Sequence, residues 1–386
     1  MYRLPRSRWS LAMTIRNKNK KMTILDRYIF KQVLTATLVG IILFIVIWIS
    51  PEILFKIIRN TIYGQITLET AVKLFFLEIP EILGKAIPVG LMIGSLFVFD
   101  RLSKDSELTI IRGIGVSVQR LFVPIIILSV IGAGICYFVY KDLIPYSNYG
   151  IKKIKKEIFQ SHFVYMDKTA AGKPKNVLII GGYNGSTIYS IKYLMFSDIV
   201  SSDTPLIKSI ITADNAVIKK GYWVLNKGIE YKIAPNGVYE KIIPFNKMRV
   251  LDGKTAEQAS KLLFYSTKRA KEMTNAELNN YMAVLKSVDM DDEYRFALSK
   301  YYQRFAHSLG CLFFAVCGVL LGFSRPRERR FVGFSIGVAL IFVYYIILPF
   351  LDLLAQTGVL TPFLAAWTPN LILLTAIYSL IKYKEL

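Results

Sequence analysis

The 386-residue sequence holds three cysteines, two histidines and charged side chains at only 20% of its positions. Each scarcity excludes a class of protein. Three cysteines cannot complete a paired framework. Cys136, Cys311 and Cys317 also lie inside apolar runs with no metal-ligand spacing, so a disulfide scaffold and a zinc module are ruled out. Neither His162 nor His307 has a nucleophile or carboxylate partner in a catalytic pattern, and no cluster of His, Asp, Ser and Lys marks a membrane enzyme. The glycine cluster at residues 181 to 185 lacks the Gly-Lys-Ser/Thr ending and the following helix of a phosphate-binding loop, so it reads as a hairpin turn. The chain therefore carries no ATPase motif of its own and is expected to bind no cofactor.

What the sequence has in excess is apolar residues, 53% of the total, with a mean hydropathy of +0.41. These values lie outside the range of ordinary soluble domains and predict an integral membrane protein. The uncharged run from Gln32 to Pro51 is long enough to cross a hydrocarbon core of about 30 Å. Further spans are expected at 72–99, 121–140, 305–323, 331–351 and 363–381. The fold class is thus a six-span helical membrane protein, three spans on each side of an inserted domain. Span two carries Lys73, Glu78, Glu81 and Lys85 between or near Pro80 and Pro88, which predicts a kinked or polar-facing half. Glu81 and Lys85 are spaced for an i,i+4 ion pair, and this patch reads either as self-neutralised or as the wall of a substrate entrance.

Net charge is +22. No RRM, zinc-finger or helix-turn-helix signature organises it, so anionic lipid is a better partner than nucleic acid. Nine Lys/Arg precede span one, four follow span two, four arginines follow span four, and Lys382 and Lys384 follow span six. The opposite short loops hold only Lys56 and Arg59. Both termini are therefore expected in the cytoplasm and residues 144–300 on the outer side of the membrane. Met1 to Lys21 is basic without the apolar core of a secretory signal and reads as a cytoplasmic arm. Met22 is an alternative start.

Between the two groups of spans, short β-rich segments alternate with turn residues: Asn176 to Ile180, Ser186 to Phe196, Ser209 to Ile218, Tyr222 to Leu225, Gly228 to Ile233 and Val238 to Ile243. An all-β sandwich or jellyroll is expected, flanked by helices at 151–159 and 275–286, the latter opened by a Thr274-x-x-Glu277 capping box. The domains are then 1–27 (basic arm), 28–143 (spans one to three), 144–300 (β domain) and 301–386 (spans four to six). Within residues 101–115, after span two, Ser103 is placed to cap a short helix with Asp105 and Glu107 in its first turn, ended by Gly113 and Gly115. Leu108 and Ile111 share a face that fits either the lipid interface or a cytoplasmic partner.

Two stretches, Ile79 to Leu96 and Arg101 to Gly115, together with the ending Gly358 to Asn370, closely resemble the LptF and LptG lipopolysaccharide export permeases. The resemblance runs from Leu25-Asp-Arg-Tyr28 through span six and includes Met273 to Leu278. It implies a permease subunit of an ABC-type exporter in the bacterial inner membrane, carrying lipopolysaccharide and powered by ATP and Mg held in a separate LptB-like ATPase. A second LptF/LptG-type subunit and LptC-like and LptA-like jellyroll proteins are the other implied partners. By position, Asp105, Ser106, Glu107, Leu108, Ile111 and Arg112 would form the ATPase-coupling helix. Lys56 and Arg59, with Lys85, would lie near the entrance for the lipid A phosphates, although Lys56 and Arg59 equally suit snorkelling to the interface. Glu52 departs from the pattern, being an acid where some members have a base. A membrane-anchored β-domain receptor without transport is the alternative function.

Overall fold

The computed structural model describes residues 24–49, 52–64, 66–155, 163–168, 174–183, 187–197, 206–219, 221–266, 268–323 and 332–384. The basic arm, Met22, His162 and the four arginines after span four lie outside the described residues. Six helices among those described are long and apolar enough to cross a membrane. Span one is α1 (Ile24–Ile49). A short helix α2 (Glu52–Ile62) leads to α3 (Leu68–Lys104), whose first turn is capped by Thr67 Oγ1 accepting from the Thr70 N–H at 3.3 Å. Pro80 and Pro88 lie inside α3 without ending it. After α4 (Glu107–Gly113) and a single turn at Val118–Leu121, α5 (Val123–Phe138) passes through a π-helical turn at Val139–Leu143 into α6 (Ile144–Lys155).

Six strands follow: β1 (Phe163–Lys168), β2 (Pro174–Tyr183), β3 (Thr187–Phe196), β4 (Ile207–Lys219), β5 (Tyr222–Ile233) and β6 (Tyr239–Asp252). They form one antiparallel sheet in the order β1-β2-β3-β4-β5-β6. The inserted β domain is present as expected, but its described strands form a meander and do not exchange between two sheets, because each strand pairs with its neighbour in sequence. Two expected pieces merge into β5. The last strand runs on to Asp252 through Pro244, which is tolerated because β6 is an edge strand.

The chain then returns through α7 (Gly253–Ser266), a 3₁₀ turn at Ala270–Glu272 and α8 (Asn275–Ser287) to the spans α9 (Asp291–Gly322), α10 (Val332–Gln356) and α11 (Pro362–Lys384). Helix α7 packs across β1, β5 and β6, and α8 packs on α7. Trp223 of β5 is fully buried there, with its indole N–H donating to Ser260 Oγ at 2.8 Å. The capping box of α8 forms in both directions: Thr274 Oγ1 accepts from the Glu277 N–H at 3.2 Å, and Glu277 Oε2 accepts from the Thr274 N–H at 2.9 Å.

In the bundle, α3 and α9 are central, while α1 and α10 expose most of their apolar surface. Ile47 and Phe342 are 71% and 60% exposed, the exterior expected of a protein whose solvent is lipid. Helices approach through small residues. A Cβ on Gly318 of α9 would lie 2.3 Å from the Met92 carbonyl oxygen of α3, and one on Gly94 of α3 would lie 2.6 Å from the Thr37 nitrogen of α1. Only glycine fits at either crossing.

Candidate functional site

At the end of the bundle nearer the sheet lies a cavity of about 350 Å³. Helix α3 brings Glu81 and Lys85 to it, one turn apart on the same face. Helix α9 adds Lys300, Gln303 and Arg304, α10 adds Asp352, and the 3₁₀ turn adds Lys271. Glu81 pairs with Lys271 at 2.6 Å, so the i,i+4 pair that the spacing offered between Glu81 and Lys85 is not made. The connection below the sheet supplies the closer cation. Lys85 instead places its ammonium 5.1 Å from the centre of the Trp48 ring of α1. Asp352 pairs with Lys300 and accepts from Gln303 Nε2 at 2.7 Å. Four cations (Lys85, Lys271, Lys300 and Arg304) thus face two carboxylates (Glu81 and Asp352) around one space. That surplus of positive charge suits a bound anion with phosphate-like oxygens.

The cavity floor is held by buried polar contacts. Arg304, 3% exposed, donates to Asn275 Oδ1 at 2.5 Å and to the carbonyls of Met273 at 2.5 Å and Ala270 at 3.1 Å. His307 Nδ1 lies 3.1 Å from the Tyr344 hydroxyl, which donates to Asn370 Oδ1 at 3.2 Å. Asn370 Nδ2 in turn donates to the Ala306 carbonyl at 2.7 Å. Asn370, the last residue of the Gly358 to Asn370 ending, therefore ties α11 to α9 and α10, and His307 belongs to this structural network.

At the opposite end of α3 the short helix differs from expectation in its start. Ser103 lies inside α3, donating to the Gly322 carbonyl at 3.3 Å, and Asp105 forms the C-cap of α3, 3.9 Å from Arg101. Ser106 holds the N-cap position of α4 in a left-handed conformation, φ 60°. The dipole of α4 still receives Glu107 in its first turn and Arg112 in its last. Glu107 Oε2 accepts from the Tyr28 hydroxyl of α1 at 3.1 Å. The face shared by Leu108 and Ile111 turns inward: Leu108 is buried and Ile111 packs against the bundle core. The apolar residues left facing outward are Ile110 and Ile114, 64% and 75% exposed, beside the exposed Arg112.

Of the expected entrance residues, Lys85 lies in the cavity. Arg59 is exposed on α2, away from the cavity lining, and Lys56 lies on the same helix, its side chain outside the described set. Lys271, Lys300 and Asp352 were not singled out in the sequence. A signal existed for Asp352, a lone carboxylate at the end of an otherwise uncharged run, and for Lys300, Gln303 and His307, which recur at helical spacing.

Six membrane-length helices among the described residues, split three and three around an antiparallel sheet and enclosing a cation-rich cavity at the sheet end of the bundle, define a multi-pass membrane protein with an inserted β domain. The chain belongs to the LptF/LptG family: residues 27–383 match the family described as Lipopolysaccharide export system permease LptF/LptG. No curated protein matches the chain.

Proposed function

We propose that this chain is one permease subunit of an ABC-type exporter that extracts lipopolysaccharide from the bacterial inner membrane and hands it to a periplasmic β bridge. The observation that carries the reading is the placement of Lys85 and Glu107 with respect to α3. One helix of 37 residues, about 55 Å at 1.5 Å per residue, has the cation-rich cavity along its first half and α4 just beyond its last turn. A push on α4 by an LptB-like ATPase is thereby delivered to the cavity walls. The ATPase holds ATP and Mg, and this chain contributes no cofactor.

The asymmetry of the short basic loops favours both termini and α4 in the cytoplasm and the sheet in the periplasm. Lipopolysaccharide carries anionic phosphates and several acyl chains. The surplus cations of the cavity suit the former, and the lipid-exposed flanks of α1 and α10 suit entry of the latter from the bilayer. Lys56 and Arg59 on α2 are assigned to the first phosphate contacts. A second LptF/LptG-type subunit completes the path, and LptC-like and LptA-like proteins receive the lipid at the sheet. Affinity capture of the detergent-solubilised chain tests this. A co-purifying ATPase whose hydrolysis rises with lipopolysaccharide, and is lost or uncoupled in Glu107→Ala, supports it. Capture of the folded chain with no ATPase overturns it.

A further inference from the structure

The sheet contains a line of breaks that crosses five strands. In β3, Ile188 and Ile191 are both buried, three residues apart, so the inward-facing parity changes at the residues between them. The same change occurs in β4 between Ala213 and Ala216, both buried. The register on either side is unaltered: Ile191 pairs with Ala213 and Tyr189 with Asn215, while the intervening pair Ser190 and Asp214 is missing. The row continues through Gly181 in β2, Lys227 in β5 and Asn246 in β6, each skipped in the pairing of its strand. Ser190 and Lys227 adopt left-handed φ values of 52° and 50° in mid-strand, where neither residue type is favoured. Beside them Gly228 admits no side chain, since its Cβ would lie 2.3 Å from the Thr212 carbonyl oxygen. The result is a crease across the sheet.

The crease opens a cavity of about 610 Å³ lined by Ser190, Lys192, Thr212, Asp214, Lys227 and Asn246, among others. Strained non-glycine backbone concentrates where a ligand is held, and both left-handed residues line this space. Among the described residues, Lys192, Asp214 and Lys227 enter no ion pair, so two ammonium groups and one carboxylate are available together with hydroxyl and amide groups. Lys192 pairs across the strands with Thr212, and Thr212 with Ile229. Two residues further along the same strands, on the same face and about 7 Å away, Leu194, Ile210, Tyr231 and Ile242 form a continuous cross-strand row that is half-buried or exposed. A polar, net-positive pocket thus borders an apolar strip, at the spacing of the head and tail of an amphiphile.

We propose that the crease pocket binds the phosphorylated sugar headgroup of the transported glycolipid and fixes its orientation while the acyl chains lie on the Leu194–Ile242 strip. The proposal rests on the export function above. Lys192 and Lys227 take the phosphate oxygens, and Ser190, Thr212 and Asn246 meet sugar hydroxyls.

The test uses the full chain in its assembled exporter, with a photocrosslinking residue at Asn246 in the crease or at Leu194 on the strip. Deacylated lipopolysaccharide serves as headgroup competitor. Lys227→Gly removes the ammonium at a position where glycine suits the backbone, so its Tm is expected to be no lower than that of the parent. Supporting results are lipopolysaccharide crosslinks at both positions, an Asn246 signal suppressed by the deacylated headgroup, and at least a tenfold loss at Asn246 in Lys192→Ala/Lys227→Gly with the Leu194 signal kept. Crosslinking at Leu194 without Asn246, or an Asn246 signal that ignores the competitor or the double substitution, overturns the headgroup pocket and leaves the export function standing. Absence of lipopolysaccharide from both positions overturns the export function and the pocket with it.

Discussion

Arg304 and Asn275 join the membrane bundle to the β domain through one 2.5 Å hydrogen bond from the guanidinium to the side-chain amide oxygen. Asn275 is the first residue of α8, and Arg304 sits in α9. Because the same guanidinium also holds the carbonyls of Ala270 and Met273, the whole return segment from the sheet is clamped to the bundle beside the cavity. A displacement of α9 is therefore expected to carry Ala270, Met273 and Asn275 with it.

Arg304→Met is expected to leave two buried carbonyls and the half-buried Asn275 amide oxygen without their guanidinium donor. At about 1–3 kcal/mol for each unsatisfied group, the loss reaches several kcal/mol. A drop in Tm of the detergent-solubilised chain checks it, with Arg304→Lys in between because one ammonium cannot reproduce the forked geometry. A Tm within a degree of wild type would remove the clamp from the account.

Gly318→Ala should cost about 1–3 kcal/mol through overpacking, since the added methyl would meet backbone at the crossing of α9 and α3 and backbone cannot rotate aside. Gly134→Ala is the control, because nothing lies within 4 Å of its Cβ position. Thermal unfolding followed by tryptophan fluorescence separates the two.

The two apolar faces of α4 make opposite predictions. Leu108→Ala opens a void in the bundle and should destabilise the chain by about 2–5 kcal/mol. Ile110→Asp changes an exposed position, with a stability effect of roughly ±0.5 kcal/mol, yet it is expected to abolish ATPase capture. Tm and pull-down yield measured on the same preparations distinguish the roles, and an Ile110→Asp chain that retains the ATPase would move docking off this face.

The sequence made the spans and the insert legible because 20-residue uncharged runs and short alternating segments have few other physical meanings. It did not reveal β1, whose six residues include Asp167 and Lys168 and show no clean alternation. Nor did it show the inward turn of Leu108: helical spacing puts Leu108 and Ile111 on one face, but only tertiary packing decides whether that face meets the bundle or a partner. The cavity was half legible. Lys85 stood out as a charge inside an apolar run, whereas Lys271 reaches the site from a turn 190 residues away from its partner Glu81, a proximity that no local pattern encodes. The crease was hidden for a related reason, since its parity break becomes visible only when five strands are aligned.

Glu277 sets the acid limit of the joint. Burial alone would raise its pKa, but hydrogen bonds from the Lys268 ammonium and the Thr274 backbone N–H outweigh that effect and hold it below the ordinary carboxylate value. A carboxylate with a lowered native pKa stabilises the fold above its unfolded value of about 4.3, and that contribution is lost as pH falls through the native pKa. The first turn of α8 is therefore expected to loosen as pH drops from 5 towards 3, with no change between pH 6 and 8 from this group. Native-state amide exchange in α8 reads it directly, compared at each pH with Glu277→Gln, which keeps an acceptor for the Thr274 N–H and removes the charge. At pH 7 the variant should exchange roughly fivefold faster, the equivalent of about 1 kcal/mol for one net hydrogen bond. The two chains should converge once the pH has fallen below the lowered native pKa of Glu277. Equal protection at pH 7 would show that the Lys268 contact does not stabilise the helix start.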